Sequence, residues 1–188
     1  MSLYHKFKEL LFPVADTSNA IPVFAEEHQI QHEFLTFAKA YRIGILCYYT
    51  DPETQTIIGN YKNRLEQLGY ECELLMYFDK KERDPNVYLP TFDINDLDKK
   101  TGIPNSPRTD RFMLKKYDLM MNLYTEPVPQ LLHLAKLSQA RCRIGAYIDV
   151  LREVSDLMVL CEDGFEMEKI ITNINKSLNL KPYERKQI

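Results

Sequence analysis

Glycine is scarce in this chain, with six residues in 188, and none of them stands in a GxGxxG or GxxxxGK[ST] pattern. Both phosphate loops need glycine where the backbone must approach the phosphate closely, so the two common nucleotide-binding turns are excluded. Cysteine is also sparse. Cys47, Cys72, Cys142 and Cys161 are scattered, with no CxxC pair. Each lies in an apolar, strand-like stretch where a free thiol behaves as a small buried hydrophobe, and this density points to a reducing cytoplasm. No run approaches the ~18 apolar residues of a membrane-crossing helix. The opening MSLYHKFKELLFPV lacks the long apolar core and small-residue cleavage site of a secretion signal. Charge of one sign is missing too. With 24 Lys and Arg against 27 Asp and Glu, the net charge of −3 creates no field that gathers nucleic acid or anionic lipid.

What is present is an ordinary globular composition, 45% apolar and 27% charged, long enough for one self-sufficient core. Leu3, Phe7, Leu10 and Leu11 share one face of a short helix that Pro13 stops. Residues Glu27 to Tyr41 set Ile30, Phe34, Phe37, Ala38 and Tyr41 at helical spacing. Residues 1–41 are therefore expected to be a helical amino-terminal arm that packs on the main body.

From Arg42 the period changes. Ile43 to Tyr49 is almost continuously apolar, as in a parallel strand covered on both faces. A helix start follows, either a capping box from Thr50 to Glu53 or an Asp51 cap with Pro52 in the first turn. Ile57, Ile58, Tyr61, Leu65 and Leu68 form its apolar stripe, and Gly69 is placed to end it in a left-handed turn. Glu71 to Phe78 then reads as a second strand, completing a βαβ unit. Strands are also expected at Tyr117–Tyr124, Arg141–Ile148 and Asp156–Cys161, with helices at Val128–Ser138 and Phe165–Leu178. The stretch from Asp79 to Asp110, with four prolines, is the least regular. The fold class is thus α/β: one Rossmann-like three-layer domain over residues 42–180, with a mostly parallel open sheet, followed by a frayed polar tail at 181–188.

In such sheets ligands bind outside the carboxyl ends of the strands, where helix amino-termini offer free N–H groups. Here those turns read Thr50-Asp51-Pro52-Glu53, Thr125-Glu126-Pro127-Val128-Pro129 and Glu162-Asp163-Gly164-Phe165-Glu166. A carboxylate at a helix start occupies the positive end of the dipole, and proline deletes a donor; both close the turn to phosphate. Of the six glycines only Gly164 falls in such a turn. Residues that would line a crevice at this edge are Tyr49, Asp51, Asp79, Asn122, Tyr124 and Gly145, with Tyr48 and Tyr147 beside them; core aromatics and helix caps are the competing reading of the same residues.

No catalytic set emerges. His28 and His32 are spaced i, i+4 but lack a third ligand and the HExxH order, so a solvated helix face is expected and no metal is assigned. The DINDLD stretch at Asp93–Asp98 departs from a calcium loop at the turn glycine and the closing Glu. Ser138 is not in a GxSxG elbow, His133 lies in an apolar helix, and basic residues form no stripe for nucleic acid.

Several segments together resemble an uncharacterised family of Bacteroidetes proteins: Asn95-Asp96-Leu97 with Gly102-Ile103-Pro104, the block YDLMMNLYTEPVPQLLHLAKLSQARCRIG over 117–145, and Ser155-Asp156-Leu157-Met158. The strand–helix–SxAxxRIG strand order is also similar, more remotely, to one nucleotide-sugar-binding half of heptosyltransferase-like glycosyltransferases. The first resemblance implies kin without an assigned chemistry; the second implies a small-ligand site between two such domains, of which this chain holds one. The favoured reading is a cytoplasmic, non-catalytic interaction or regulatory module that uses no cofactor and meets a protein partner or a second copy through Leu3, Phe7, Leu10 and Leu11. The alternative is a glycosyltransferase-related binder of a nucleotide sugar or other small molecule. Neither reading involves nucleic acid or a membrane span.

Overall fold

The computed structural model describes residues 32–80 and 85–183. Six strands form one sheet in the order β3-β2-β1-β4-β5-β6. The strands are β1 (Arg42–Tyr48), β2 (Glu71–Phe78), β3 (Thr91–Asp93), β4 (Leu119–Leu123), β5 (Cys142–Ala146) and β6 (Leu157–Val159), and every neighbouring pair is parallel. Three helices lie between strands, α1 (Pro52–Gln67), α2 (Pro107–Leu114) and α3 (Pro129–Leu137), and α4 (Met167–Ser177) follows β6. The expected single α/β Rossmann-like sheet is present, and it is wholly parallel. Its strand order is that of dinucleotide-binding doubly wound sheets, with the topological switch between β1 and β4.

The burial pattern explains the continuous apolar strands. Ile43, Ile45 and Cys47 of β1, Leu74 and Met76 of β2, and Leu119 and Met121 of β4 join Ile58 and Leu65 of α1 and Ile170 and Ile174 of α4 in one core. The alternate residues Leu46, Leu75 and Met120 are equally buried on the opposite face, where α2 and α3 supply Phe112, Leu131 and Leu134. Both faces being covered, each such side chain contributes about 1.5–3 kcal/mol of burial.

At α1 the cap is Asp51, not Thr50: its side chain accepts from the Thr54 amide and Pro52 sits in the first turn. Gly69 ends the helix with φ +95°, the left-handed geometry its position requires.

Three segments differ from the sequence reading. Of the helical arm expected over residues 1–41, the part at 1–31 lies outside the described residues. Beyond it, the expected helix to Tyr41 is not formed: only Phe37–Lys39 makes a single 3-10 turn, flanked by extended backbone at Thr36 and Ala40. Phe37, fully buried against Tyr70, is used as a plug and not as part of a helical stripe. The irregular stretch after Asp79 holds both β3 and α2. The helix is capped by a Ser106–Thr109 box with Pro107 in its first turn. The start of the tail is held: the Tyr183 amide donates to the Leu68 carbonyl at 2.7 Å, and the Tyr70 hydroxyl to the Lys181 carbonyl at 2.7 Å.

Candidate functional site

At the switch point the carboxyl ends of β1 and β4 and the start of α4 bound a hollow of about 200 Å³, lined among others by Tyr48, Thr50, Thr54, Tyr124, Glu126 and Glu166. Hydroxyls and carboxylates therefore surround the place where a doubly wound sheet usually takes its ligand. Among the six crevice residues expected from the sequence, only Tyr124 borders this hollow.

The other five are distributed along the edge in separate interactions. Tyr49 is buried with its ring edge-on to Phe78, centroids 5.1 Å apart. Asp51 is bound over the first turn of α1: Oδ1 accepts from the Thr54 amide at 2.7 Å and Oδ2 from the Thr50 hydroxyl at 2.7 Å. Those hydrogen bonds, the Thr54 amide foremost, hold its carboxyl below the usual range. Asp79 accepts from the Tyr48 hydroxyl at 2.8 Å. Burial first, and then Asp79, pushes that phenol up to about 12.

Asn122 and Gly145 are brought together as register partners across β4 and β5. Asn122 is fully buried, and its amide nitrogen donates to the Val154 carbonyl at 3.0 Å and the Ser155 hydroxyl at 3.3 Å. A Cβ on Gly145 would lie 2.6 Å from Leu151 Cδ1 and 3.0 Å from Ser155 Oγ. The segment after β5 thus packs onto both residues and fills the space above them. Tyr147 is half exposed and borders a separate hollow of about 270 Å³ with Asp149, Arg152 and Met158. The turn at Gly164 is likewise occupied, since a Cβ there would meet Glu166 Oε2 at 2.5 Å.

Two buried polar atoms at this edge have no partner: Asn122 Oδ1 and Tyr124 Oη. The Tyr124 phenol is driven far above its ordinary value by burial, so it stays protonated. Burial also raises the Cys47 thiol and lowers His133, since it disfavours the charged form of each. Among the described residues no three His, Cys, Asp or Glu side chains converge as a metal site requires, and no helix is long and apolar enough to cross a membrane.

Gln55 escaped the sequence reading. It is 1% exposed, and its side chain holds the strand-to-strand connection by three bonds: Nε2 to the Asn86 carbonyl, and Oε1 from the amides of Tyr88 and Leu89. Its signal was a polar residue three positions before Ile58, on the buried stripe of α1.

Fold and edge together define a class: a single doubly wound α/β domain in which α1 and α4 begin with their own carboxylates, Asp51 and Glu53 in one and Glu166 and Glu168 in the other, whereas α3, expected from Glu126 to be closed in the same way, has no acidic residue in its first turn. The profile of a family of unknown function (DUF6913) matches residues 24–180, most of the chain, and the protein belongs to that family. No curated protein and no solved structure matches it in the same comparisons.

Proposed function

We propose that this chain is a non-catalytic interaction or regulatory module that works in the cytoplasm through a protein partner or a second copy of itself. The observation that carries this reading is the filling of the carboxyl edge by the protein's own groups. Leu151 and Ser155 cover Asn122 and Gly145, and the Asp51 carboxylate takes the amides that open α1. A phosphate brought to α1 would meet that carboxylate where it needs free N–H donors. Self-association through the apolar face of the arm belongs to the same proposal. So does kinship with Bacteroidetes proteins, which rests on the 117–145 block.

The competing reading is a glycosyltransferase-related binder of a nucleotide sugar. It is favoured by the strand order and by the hollow at the β1–β4 switch. Thermal unfolding in the presence of ATP, NAD or UDP-glucose separates the two. The module reading expects an unchanged Tm up to millimolar ligand. A dose-dependent rise for any of the three replaces it with the second reading.

A further inference from the structure

Among the described residues the sheet is not closed along the first half of β2. On its outer side β3 pairs only with Met76, Tyr77 and Phe78. The Met76 amide donates outward to the Pro90 carbonyl at 3.0 Å. Since N–H and C=O groups alternate sides along a strand, those of Leu74 and Cys72 face the same way, where no strand lies among the described residues. Gln55 holds the backbone of Asn86, Tyr88 and Leu89, and the incoming chain first bonds to β2 at Pro90.

Beside this open edge lies a groove of about 910 Å³, the size of a ligand site. Cys72 and Leu74 are in its wall, with Arg108, Arg111 and Lys115 along the α2 side. Tyr88, on its border, is 64% exposed, and Leu114 is 47% exposed. Four cations line the groove, Lys62 being the fourth, against the one carboxylate of Glu73. Two of them are already neutralised: Lys62 by Glu66 at 2.6 Å, and Lys115 by Glu71 and Glu73 at 2.9 Å each. The two arginines are not. Arg108 donates to the Thr91 carbonyl and meets no carboxylate among the described residues. Arg111 is 75% exposed and reaches Glu73 only at 3.7 Å, a carboxylate that Lys115 already holds. At i, i+3 on α2 the two guanidiniums are neighbours, and a guanidinium is shaped for bidentate carboxylate.

We propose that this groove docks an extended acidic peptide segment of a partner protein. The segment adds as a strand beside Cys72 and Leu74, in the lane that β3 takes from Thr91 onward, and places a carboxylate side chain on Arg108 and Arg111. Main-chain bonds to the edge supply affinity, and the arginines supply selectivity for acid. A second copy of this chain suits the groove less well, because edge-to-edge pairing brings the arginines of both copies towards one another. The inference rests on the module reading and gives it a binding surface.

The test uses the full chain and a fluorescein-labelled hexapeptide alternating valine and glutamate, read by anisotropy. A valine–glutamine counterpart is expected to bind at least tenfold more weakly. Arg111→Glu, an exposed substitution, should lose at least tenfold in affinity with Tm unchanged. Peptides N-methylated on one or the other alternate set of residues probe the main-chain bonds without altering the protein; one set should abolish binding and the other leave it. In the unmodified protein, hydrogen exchange at Cys72 and Leu74 should be fast and should slow when peptide is added. Equal binding of the glutamate and glutamine peptides, equal effects of the two N-methylated sets, or no binding and no slowing at Cys72 and Leu74 overturns the proposal. The groove is then only an edge guarded by charge against aggregation. Stabilisation by a nucleotide, by contrast, defeats the module reading and leaves the peptide result standing.

Discussion

The carboxyl edge at the β1–β4 switch and the outer edge of β2 are opposites. At the first, where a doubly wound sheet normally presents its ligand site, two segments pack onto the strand and helix ends beside the hollow. The 148–155 segment covers β4 and β5, and Asp51 covers the start of α1. At the second, backbone groups that a sheet normally pairs stand beside two arginines with little carboxylate of their own. The contrast shows that a Rossmann-like sheet can pack side chains over its strand ends and still leave backbone groups open along a strand edge. Asp51 and the Asn122 amide nitrogen are bonded internally, with Asn122 Oδ1 and Tyr124 Oη left over, whereas among the described residues the outer side of β2 has no strand beside Cys72 and Leu74.

If the carboxyl edge is packed as a core is packed, substitutions there should behave as core substitutions. Gly145→Val is expected to have the largest effect, a loss of about 3 kcal/mol in urea denaturation. Its Cβ would start 2.6 Å from the buried Leu151 side chain. A variant as stable as the parent would show that the segment above Gly145 lifts freely, and the contrast between the two edges would fail. Asn122→Ala comes next, at about 2 kcal/mol, because the Val154 carbonyl loses a buried donor and a small void opens. A loss near zero would instead mark Asn122 as a group kept for a ligand.

The amino ends of the strands are held by charge, and this should make them the acid-sensitive part of the fold. Asp118 Oδ2 accepts from the amides of Tyr41 and Arg42, each at 2.9 Å, and Oδ1 from Arg141 at 2.9 Å. Burial opposes the charge, but the Arg42 and Tyr41 amides and then Arg141 outweigh it and hold the carboxyl below its ordinary range. A folded-state pKa below the unfolded value of about 3.9 means that this stabilisation is fully present above about pH 5 and lost as pH falls through the folded pKa. Asp118→Asn should therefore cost about 1.5 kcal/mol at neutral pH and progressively less at pH 4 and pH 3. Denaturation curves of both proteins at the three pH values check this. An equal gap throughout would mean that shape, and not charge, is what Asp118 supplies.

The strands of the core were legible because parallel strands covered on both faces read as unbroken apolar runs. Glu71–Phe78 was bounded to the residue, and β1 and α4 to within a residue or two. β3 and α2 were not legible. A three-residue strand has no period to detect, and α2 buries only Thr109 and Phe112, too few for a stripe. The turn at Phe37 failed for the reverse reason: of the described residues at helical spacing only Phe37 is buried, against Tyr70, while Phe34 and Tyr41 are exposed. The closed helix starts were readable from Asp51, Pro52 and Glu166, since caps and prolines act through their own backbone neighbourhood. Non-local events were beyond reach. That Ser155 and Leu151 would return onto Asn122 and Gly145, and that Gln55 would hold residues 86–89, depends on contacts six to thirty-four positions apart.

The smallest expected effect is the most discriminating at the carboxyl edge. Tyr124 is 2% exposed, and its hydroxyl has no partner, while Asn122 two residues earlier uses its amide nitrogen twice. Removing an unpartnered buried hydroxyl forfeits no bond and relieves its desolvation, so Tyr124→Phe should leave stability within about 0.5 kcal/mol of the parent or raise it. The pair of substitutions then divides the edge. Asn122→Ala costs stability because its bonds are internal. Tyr124→Phe costs none, and if it also leaves the nucleotide thermal shift flat, no ligand has been using the hydroxyl. A Tyr124→Phe variant that loses more than 1 kcal/mol would reveal a bonded partner for the phenol, such as an ordered water reaching in from the β1–β4 hollow. That outcome would turn a filled edge into one that still holds an open polar site.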